Sequence, residues 1–235
     1  MPAARSVSSS LRPSVTRCAA PARRAPDVPQ IPKYGDSRAI SIGLLGGSFN
    51  PAHAGHLQLA RYALTHLRLD QVWLMVSPGN PLKPRIGMAP FEDRLASAHA
   101  LADGRHIIAT DIEARLNKRY TVETIALLRL RFPRARFVWL MGADSLATLT
   151  RWRRWRELAL HVPMAVVPRP GSNRTALSGR ATHALSHMRV PPRQGPVMSR
   201  SKGGVWAFLP APQNGISATA LRDSGNYPAA RSLMN

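Results

Sequence analysis

The spacing of hydrophobic positions changes period repeatedly along the chain. Ala39 to Leu45 (AISIGLL) is a short apolar run that stops at Gly46-Gly47, as a buried strand does. Leu57, Leu59, Ala60, Ala63, Leu64 and Leu67 then recur at helical spacing. Gln71 to Ser77 (QVWLMVS) reads as a second strand, closed by Pro78-Gly79-Asn80-Pro81. Phe91 to Ala102 predicts a helix and Arg105 to Thr110 a third strand. Thr121 to Phe132 predicts a helix with Val122, Ile125, Ala126 and Leu128 inward, followed by a buried strand over Ala135 to Met141 (ARFVWLM). Residues 143–160 read as helix in two pieces, and Val162 to Val167 as a strand ended by Pro168. Residues 169–204 are rich in Gly, Ser, Arg and Pro, with at most one helix expected over 176–187. Val205 to Leu209 is the last expected strand, and a short helix should follow Ser217.

Strands alternating with helices imply a parallel sheet covered on both faces, with right-handed crossovers. The expected fold is therefore α/β: a Rossmann-like doubly wound parallel sheet, in a single domain with a small C-terminal helical part. Ligands of such sheets sit beyond the carboxyl ends of the strands, where the strand order reverses. There is no internal repeat, and 235 residues suit one domain with a small appendage.

Composition changes this picture at the N-terminus. Residues 1–38 carry seven Lys and Arg against two Asp, a net charge of +5, with scattered Pro and Ser and no apolar period. They are expected to form a disordered basic N-terminal extension, so that the folded domain spans 39–235. Rich in Arg and Ser and poor in acids, the segment also has the composition of an organelle transit peptide; a bacterial extension or a misassigned start codon is the preferred reading. Cys18 is the one cysteine, which excludes an internal disulfide framework and a cysteine-built metal site and fits a reducing, cytoplasmic setting. No window approaches 18 uninterrupted apolar residues, so no membrane association is expected. The 33 Lys and Arg against 12 Asp and Glu give +21. Such a charge fits an Arg-rich solvated surface, and it also attracts nucleotides or nucleic acid without selecting between them.

Candidate chemistry gathers at the first strand-to-helix turn, Gly46-Gly47-Ser48-Phe49-Asn50-Pro51-Ala52-His53-Ala54-Gly55-His56. Paired glycines permit close backbone approach to a ligand, and the following helix start offers unsatisfied N–H groups to a phosphate. His53 and His56 lie three apart and can face one ligand, donating hydrogen bonds where charge develops in a transition state. The turn is neither a G-x-G-x-x-G fingerprint nor a Walker A loop. Two histidines at i, i+3 without a third ligand nearby argue against a metal site.

His53-Ala54-Gly55-His56 resembles the H-x-G-H signature of the nucleotidylyltransferase superfamily, and Ile216-Ser217-Ala218-Thr219-Ala220-Leu221-Arg222 resembles its I-S-S-T-x-x-R signature. Gly46 to Ala60, Ser77 to Lys83, Arg119 to Thr124 and Met141 to Trp155 are similar to segments of bacterial nicotinate-nucleotide adenylyltransferases. The resemblance covers residues 40–222 and implies that 39–235 is a nucleotidylyltransferase domain. It implies adenylyl transfer from ATP to nicotinate mononucleotide, giving deamido-NAD and pyrophosphate, in NAD biosynthesis. By resemblance, His53 and His56 are the catalytic pair on the ATP phosphates, and Gly46, Gly47, Ser48 and Phe49 line the ATP site. Ser217, Thr219 and Arg222 would hold the β- and γ-phosphates, Lys83 would close from its loop, and Asp144 would contact a ribose. Asn50, Tyr120, Thr121 and Trp152 would form the mononucleotide site. Mg²⁺ would be held mainly by ATP phosphates, with no protein metal cage. Asn50 stands where the family more often has Asp, Ser145 where it has Asn, and Ala218 where it has Ser.

The rival readings are an adenylyltransferase acting on nicotinamide mononucleotide and, in another class, a basic nucleic-acid-binding protein using the tail and the Arg151-Trp152-Arg153-Arg154-Trp155-Arg156 cluster. Nucleic acid is the disfavoured partner. A degenerate nucleotide sensor is disfavoured because both signatures are intact. A homo-oligomer is compatible with the sequence.

Overall fold

A computed structural model describes residues 31–79, 87–213 and 218–223. Six strands form one all-parallel sheet: β1 (Ser41–Gly47), β2 (Gln71–Val76), β3 (Ile107–Thr110), β4 (Arg136–Gly142), β5 (Met164–Val167) and β6 (Trp206–Phe208). Their order is β3-β2-β1-β4-β5-β6. The chain winds outward from β1 in one direction, returns, and winds outward in the other, so the order reverses between β1 and β4. This is the doubly wound arrangement expected from the alternation of periods.

Alternation of side chains across each buried strand builds two cores. Ile42, Leu44, Trp73, Met75, Phe137, Trp139, Met141, Met164, Val166 and Trp206 face one side. There they meet α4 (Thr121–Arg131) through Val122, Ile125 and Leu128, and α6 (Trp155–His161) through Leu158 and Ala159. Leu45, Val72, Leu74, Val76, Val138, Leu140, Ala165 and Val167 face the other side. Ala60 and Ala63 of α1 (Ala54–His66) and Ala98 of α2 (Phe91–Leu101) cover them. A central parallel strand buried on both faces reads as a continuous apolar run, which is why β1, β2 and β4 are visible in the sequence. On the first face Trp73, Phe132 and Phe137 pack edge to face with centroids 5.5 to 6.3 Å apart, a geometry that stabilises beyond area burial alone.

Several expectations change. β3 begins at Ile107 rather than Arg105, because Asp103 caps the turn before it by accepting from the amides of Arg105, His106 and Ile107. β5 begins at Met164 rather than Val162. The single helix expected over 176–187 is instead α7 (Asn173–Leu177) and α8 (Arg180–Ala184), interrupted at Gly179, followed by a 3₁₀ turn at Ser186–Met188. A Cβ at Gly179 would press on the Thr175 carbonyl, so the chain breaks where a glycine relieves the crowding. A further short helix, α9 (Gly195–Met198), precedes β6. The four-residue α3 (Ile112–Arg115) is absent from the sequence-based expectations, being too short to show a period. The 143–160 stretch is α5 (Ala143–Thr148), a 3₁₀ turn and α6, as two pieces required.

The domain boundary expected at residue 39 moves toward the N-terminus. Ile31 is buried in the first core, its carbonyl accepts from Arg115 at 2.8 Å, and the Lys33 carbonyl accepts from Arg131 at 2.6 Å. Residues 31–38 thus belong to the folded unit; residues 1–30 lie outside the described ones. One apolar residue in a basic, Pro-rich stretch gives no periodic signal.

Behind α4 lies a buried acid. Glu113 of α3 is within 3.4 Å of the Thr124 hydroxyl, and burial pushes its carboxyl up to about 7. Because its folded pKa exceeds its ordinary 4.5, the folded state keeps a proton that the unfolded chain releases, and stability falls as pH rises from about 4.5 to about 7. Glu113→Gln should become increasingly more stable than the wild type across that window, by on the order of 2 kcal/mol. Chemical denaturation of both proteins at pH 5 and pH 7.5 checks this; a constant difference would refute the buried neutral acid.

Candidate active site

The C-terminal ends of β1 and β4 flank the reversal in strand order, and the turn after β1 occupies it. Two imidazoles organise this turn. His53 is the N-cap of α1, and its Nδ1 accepts from the Gly55 amide at 3.1 Å. His56 Nδ1 in turn accepts from the His53 amide at 3.2 Å. This is a capping box built from imidazoles in place of the usual hydroxyl and carboxylate. An accepting Nδ1 carries no proton, so each neutral ring has its proton on Nε2. The rings lie 3.9 Å apart, and Phe49 packs 4.9 Å from His56.

His53 is held neutral. It is 5% exposed, and burial, helped by the Arg169 guanidinium, lowers its pKa from 6.5 to about 4. Protonation would also abolish the Nδ1 acceptor and with it the cap.

The turn itself is clamped from three directions. Arg94 of α2 is 2% exposed; its NH1 donates to the Ser48 carbonyl at 2.7 Å and the Ser77 carbonyl at 2.8 Å, and its Nε to Ala89 at 3.1 Å. It ties the end of β1 to the end of β2. Asn50 donates from Nδ2 to Gly87 at 2.8 Å and accepts from the Ala89 amide at 3.0 Å. Arg222 donates to the Asn50 carbonyl at 2.6 Å. That bond brings α10 (Ala218–Asp223), at the far end of the sequence, onto the first turn. The clamps support Phe49, which is buried with φ 47° in the left-handed region, a costly conformation for an aromatic residue.

The structure redefines some sequence-derived candidates. The two glycines do not stand beside open space: a Cβ on Gly46 would strike the Trp139 indole, and one on Gly47 would lie 3.2 Å from the Phe49 ring. Packing therefore demands glycine at 46 independently of any ligand and leaves little room for a larger residue at 47. Asn50, expected at the mononucleotide, is 4% exposed and its side chain holds the 87–89 segment. Its amide does so by donating as well as accepting, which an aspartate could not do. Asp144 opens α5 beyond β4, with Oδ1 3.6 Å from Arg169 Nε. Gly142 makes room for that pair, since a Cβ there would meet both side chains.

Tyr120 and Thr121 start α4, which leaves the C-terminal edge of the sheet and returns to β4. Arg153 lies over the Tyr120 ring at 4.7 Å. Trp152 is partly buried and packs edge-on against Trp139 at 6.0 Å, so this indole is at least partly a packing residue. Ser48 ends β1's turn with its carbonyl on Arg94. Thr219 falls on α10, and Lys83 and Ser217 lie outside the described residues. Sequence reasoning missed Arg94 and Arg169. A lone arginine on an amphipathic helix gives no signal, whereas Arg169, directly after the Pro168 that ends β5, could have been found from its place at a strand's carboxyl end. Among the described residues no three His, Cys, Asp or Glu side chains gather to hold a metal ion, and no helix is long and apolar enough to cross a membrane.

Order reversal between two parallel strands, with a helix start capped by two imidazoles at the reversal, defines a protein of the Rossmann-like α/β class, in which ligands sit at that place. Comparison with known proteins narrows the class. The cytidylyltransferase-like family profile matches residues 44–224. A Gluconobacter oxydans protein named "Probable nicotinate-nucleotide adenylyltransferase" is 68% identical over 188 residues, covering 80% of this chain and 96% of that protein. A protein of the same name from Methylorubrum extorquens is 49% identical over 183 residues, covering 78% and 99%. The fold also matches that of a solved Plasmodium falciparum nicotinic acid mononucleotide adenylyltransferase complexed with NaAD, with a TM-score of 0.57 over 77% of this chain and 82% of that one, at 15% identity. The chain belongs to the cytidylyltransferase-like family and, within it, to the nicotinate-nucleotide adenylyltransferases.

Two outcomes follow from the geometry. His53 should remain neutral, with its proton on Nε2, from pH 8 down to about pH 5, and its contribution to stability should be lost only as pH falls from 6.5 toward 4. Long-range ¹H–¹⁵N spectra of the imidazoles test this; titration near 6.5 or a proton on Nδ1 would contradict it. Arg94→Met should cost roughly 3–5 kcal/mol in chemical denaturation, because it strands carbonyls inside the protein. Arg94→Lys should recover only part of that, since an ammonium cannot span the same fork.

Proposed function

We propose that the chain transfers the adenylyl group of ATP to nicotinate mononucleotide, releasing pyrophosphate and forming nicotinate adenine dinucleotide in NAD biosynthesis. The observation that carries this reading is the bond from Arg222 to the Asn50 carbonyl, which closes the two signature segments onto one turn beside His53 and His56. Family membership supplies the reaction, and the proteins most similar in sequence carry that activity in their names.

The reaction is an in-line displacement. A 5′-phosphate oxygen of the mononucleotide attacks the α-phosphorus of ATP, the bond to the bridging oxygen breaks, and pyrophosphate leaves with that electron pair. No covalent enzyme intermediate is required, and catalysis consists of positioning and charge stabilisation. The Nε2–H groups of His53 and His56 and the start of α1 donate to phosphate oxygens as charge shifts onto them. Arg222, with Ser217, Thr219 and Lys83, holds the β- and γ-phosphates. Asp144, oriented by Arg169, contacts a ribose. Tyr120, Thr121 and the amides at the start of α4 receive the nicotinate carboxylate, with Trp152 against the ring. ATP enters as its Mg²⁺ complex, the ion held by phosphate oxygens and water. We place the enzyme in the cytoplasm.

Pyrophosphate release should require ATP, Mg²⁺ and nicotinate mononucleotide, with nicotinamide mononucleotide a poorer acceptor. Faster turnover of the amide would shift the assignment to that acceptor. His56→Ala should lower turnover roughly 10²-fold, and a near-normal rate in a folded variant would remove His56 from the mechanism.

A further inference from the structure

A cavity of about 600 Å³ lies away from this site, at the opposite edge of the sheet, where strands begin. Its walls come from the end of α4, the loop into β4, the end of α6 and the segment leading to β6. Arg129, Arg134, Arg136, Arg200 and Lys202 line it, with His161, and no carboxylate does. β4 is seven residues long, which separates this cavity from Gly142 by roughly 20 Å.

Three observations bear on the cavity. None of its five cations forms an ion pair with any acid among the described residues, and what sets them apart from the other unpaired cations of this basic chain is that they converge on one hollow. Only Arg129 has a structural duty, donating at 2.6 Å to the His161 carbonyl at the end of α6, as a cation near a helix C-terminus does. The others surround a concavity of the volume that small-molecule sites occupy, with Phe137 and Pro133 as apolar wall. Clustered like charges repel, and a multivalent anion in the hollow would relieve that repulsion.

We propose that this cavity is a second ligand site, taking a small anion that carries a di- or triphosphate group. The charge, the concave shape and the single apolar wall fit a compact polyphosphate or a nucleotide carrying one; a long nucleic acid would call for an extended groove. The inference stands apart from the reaction proposed above, since no residue of that site lines the cavity.

The probe is inorganic tripolyphosphate, read by amide chemical shifts of the full-length protein. The amides of Arg134, Arg136, Ser201 and Lys202 should move together on titration. Arg134→Ser/Arg136→Ser/Lys202→Ser should weaken that response at least tenfold while leaving the melting temperature and pyrophosphate release at wild-type values, because all three side chains are exposed. Arg134→Lys/Arg136→Lys should retain most of the binding. Parallel titrations with pyrophosphate and a non-hydrolysable ATP analogue, read on the same amides, tell an inorganic source from a nucleotide. The proposal fails if only amides around His56 respond, or if the serine variant binds as the wild type does. It also fails if a 20-nucleotide single strand moves these amides at lower concentration than tripolyphosphate, which would make the cavity part of a nucleic-acid interface.

Discussion

The first amides of α1 have no partners within the helix, and the structure satisfies two donors at this point with imidazole nitrogens. Most of the site's chemistry descends from that choice. A carboxylate cap would satisfy the backbone equally well but would present negative charge to an incoming phosphate. An imidazole that accepts through Nδ1 must, when neutral, carry its proton on Nε2. Capping the helix therefore also prepares a donor, and the folding requirement sets the tautomer of the neutral ring. Burial of His53 and the nearby Arg169 guard this state, because both disfavour the second proton that would release the backbone.

A cap of this kind works only if the turn cannot drift. Phe49 sits in a backbone region that its side chain disfavours, so the turn needs support from outside its own sequence. Arg94 supplies it from α2, Asn50 through residues 87–89, and Arg222 from α10. These are charge-assisted or buried bonds to backbone carbonyls and amides, worth more than surface ion pairs and costly to leave half made. Segments distant in sequence thus hold one loop, and the two signature segments are joined structurally through the bond from Arg222 to Asn50.

The sequence made the sheet legible because its central strands are buried on both faces and therefore continuously apolar. β1, β2 and β4 lie within about two residues of their expected bounds. Legibility failed where the physics is local and unpatterned. α3 is one turn long, α7 and α8 are divided by a glycine that relieves a clash with a carbonyl, and Ile31 is a single anchor in a basic stretch. At the site, motif residues could be named but their duties could not. Gly46 and Gly47 look like a phosphate turn, yet Trp139 and Phe49 fill the space beside them. Asn50 looks like a ligand contact, yet its side chain is committed to the loop. Arg94 leaves no trace in the pattern, because a buried guanidinium that binds carbonyls resembles, in sequence, any exposed helical arginine.

The two edges of the sheet handle positive charge in different ways. At the carboxyl edge Arg169 is partly offset by Asp144, and Arg94 and Arg222 are engaged with backbone carbonyls. At the opposite edge, the ends of α4 and α6 bring backbone carbonyls that attract cations, but only Arg129 reaches one. The remaining cations there are held by no acid and no helix end. The overall charge draws anions toward the whole molecule. Discrimination at the active edge must then come from donor geometry, since bulk attraction is shared by every anion.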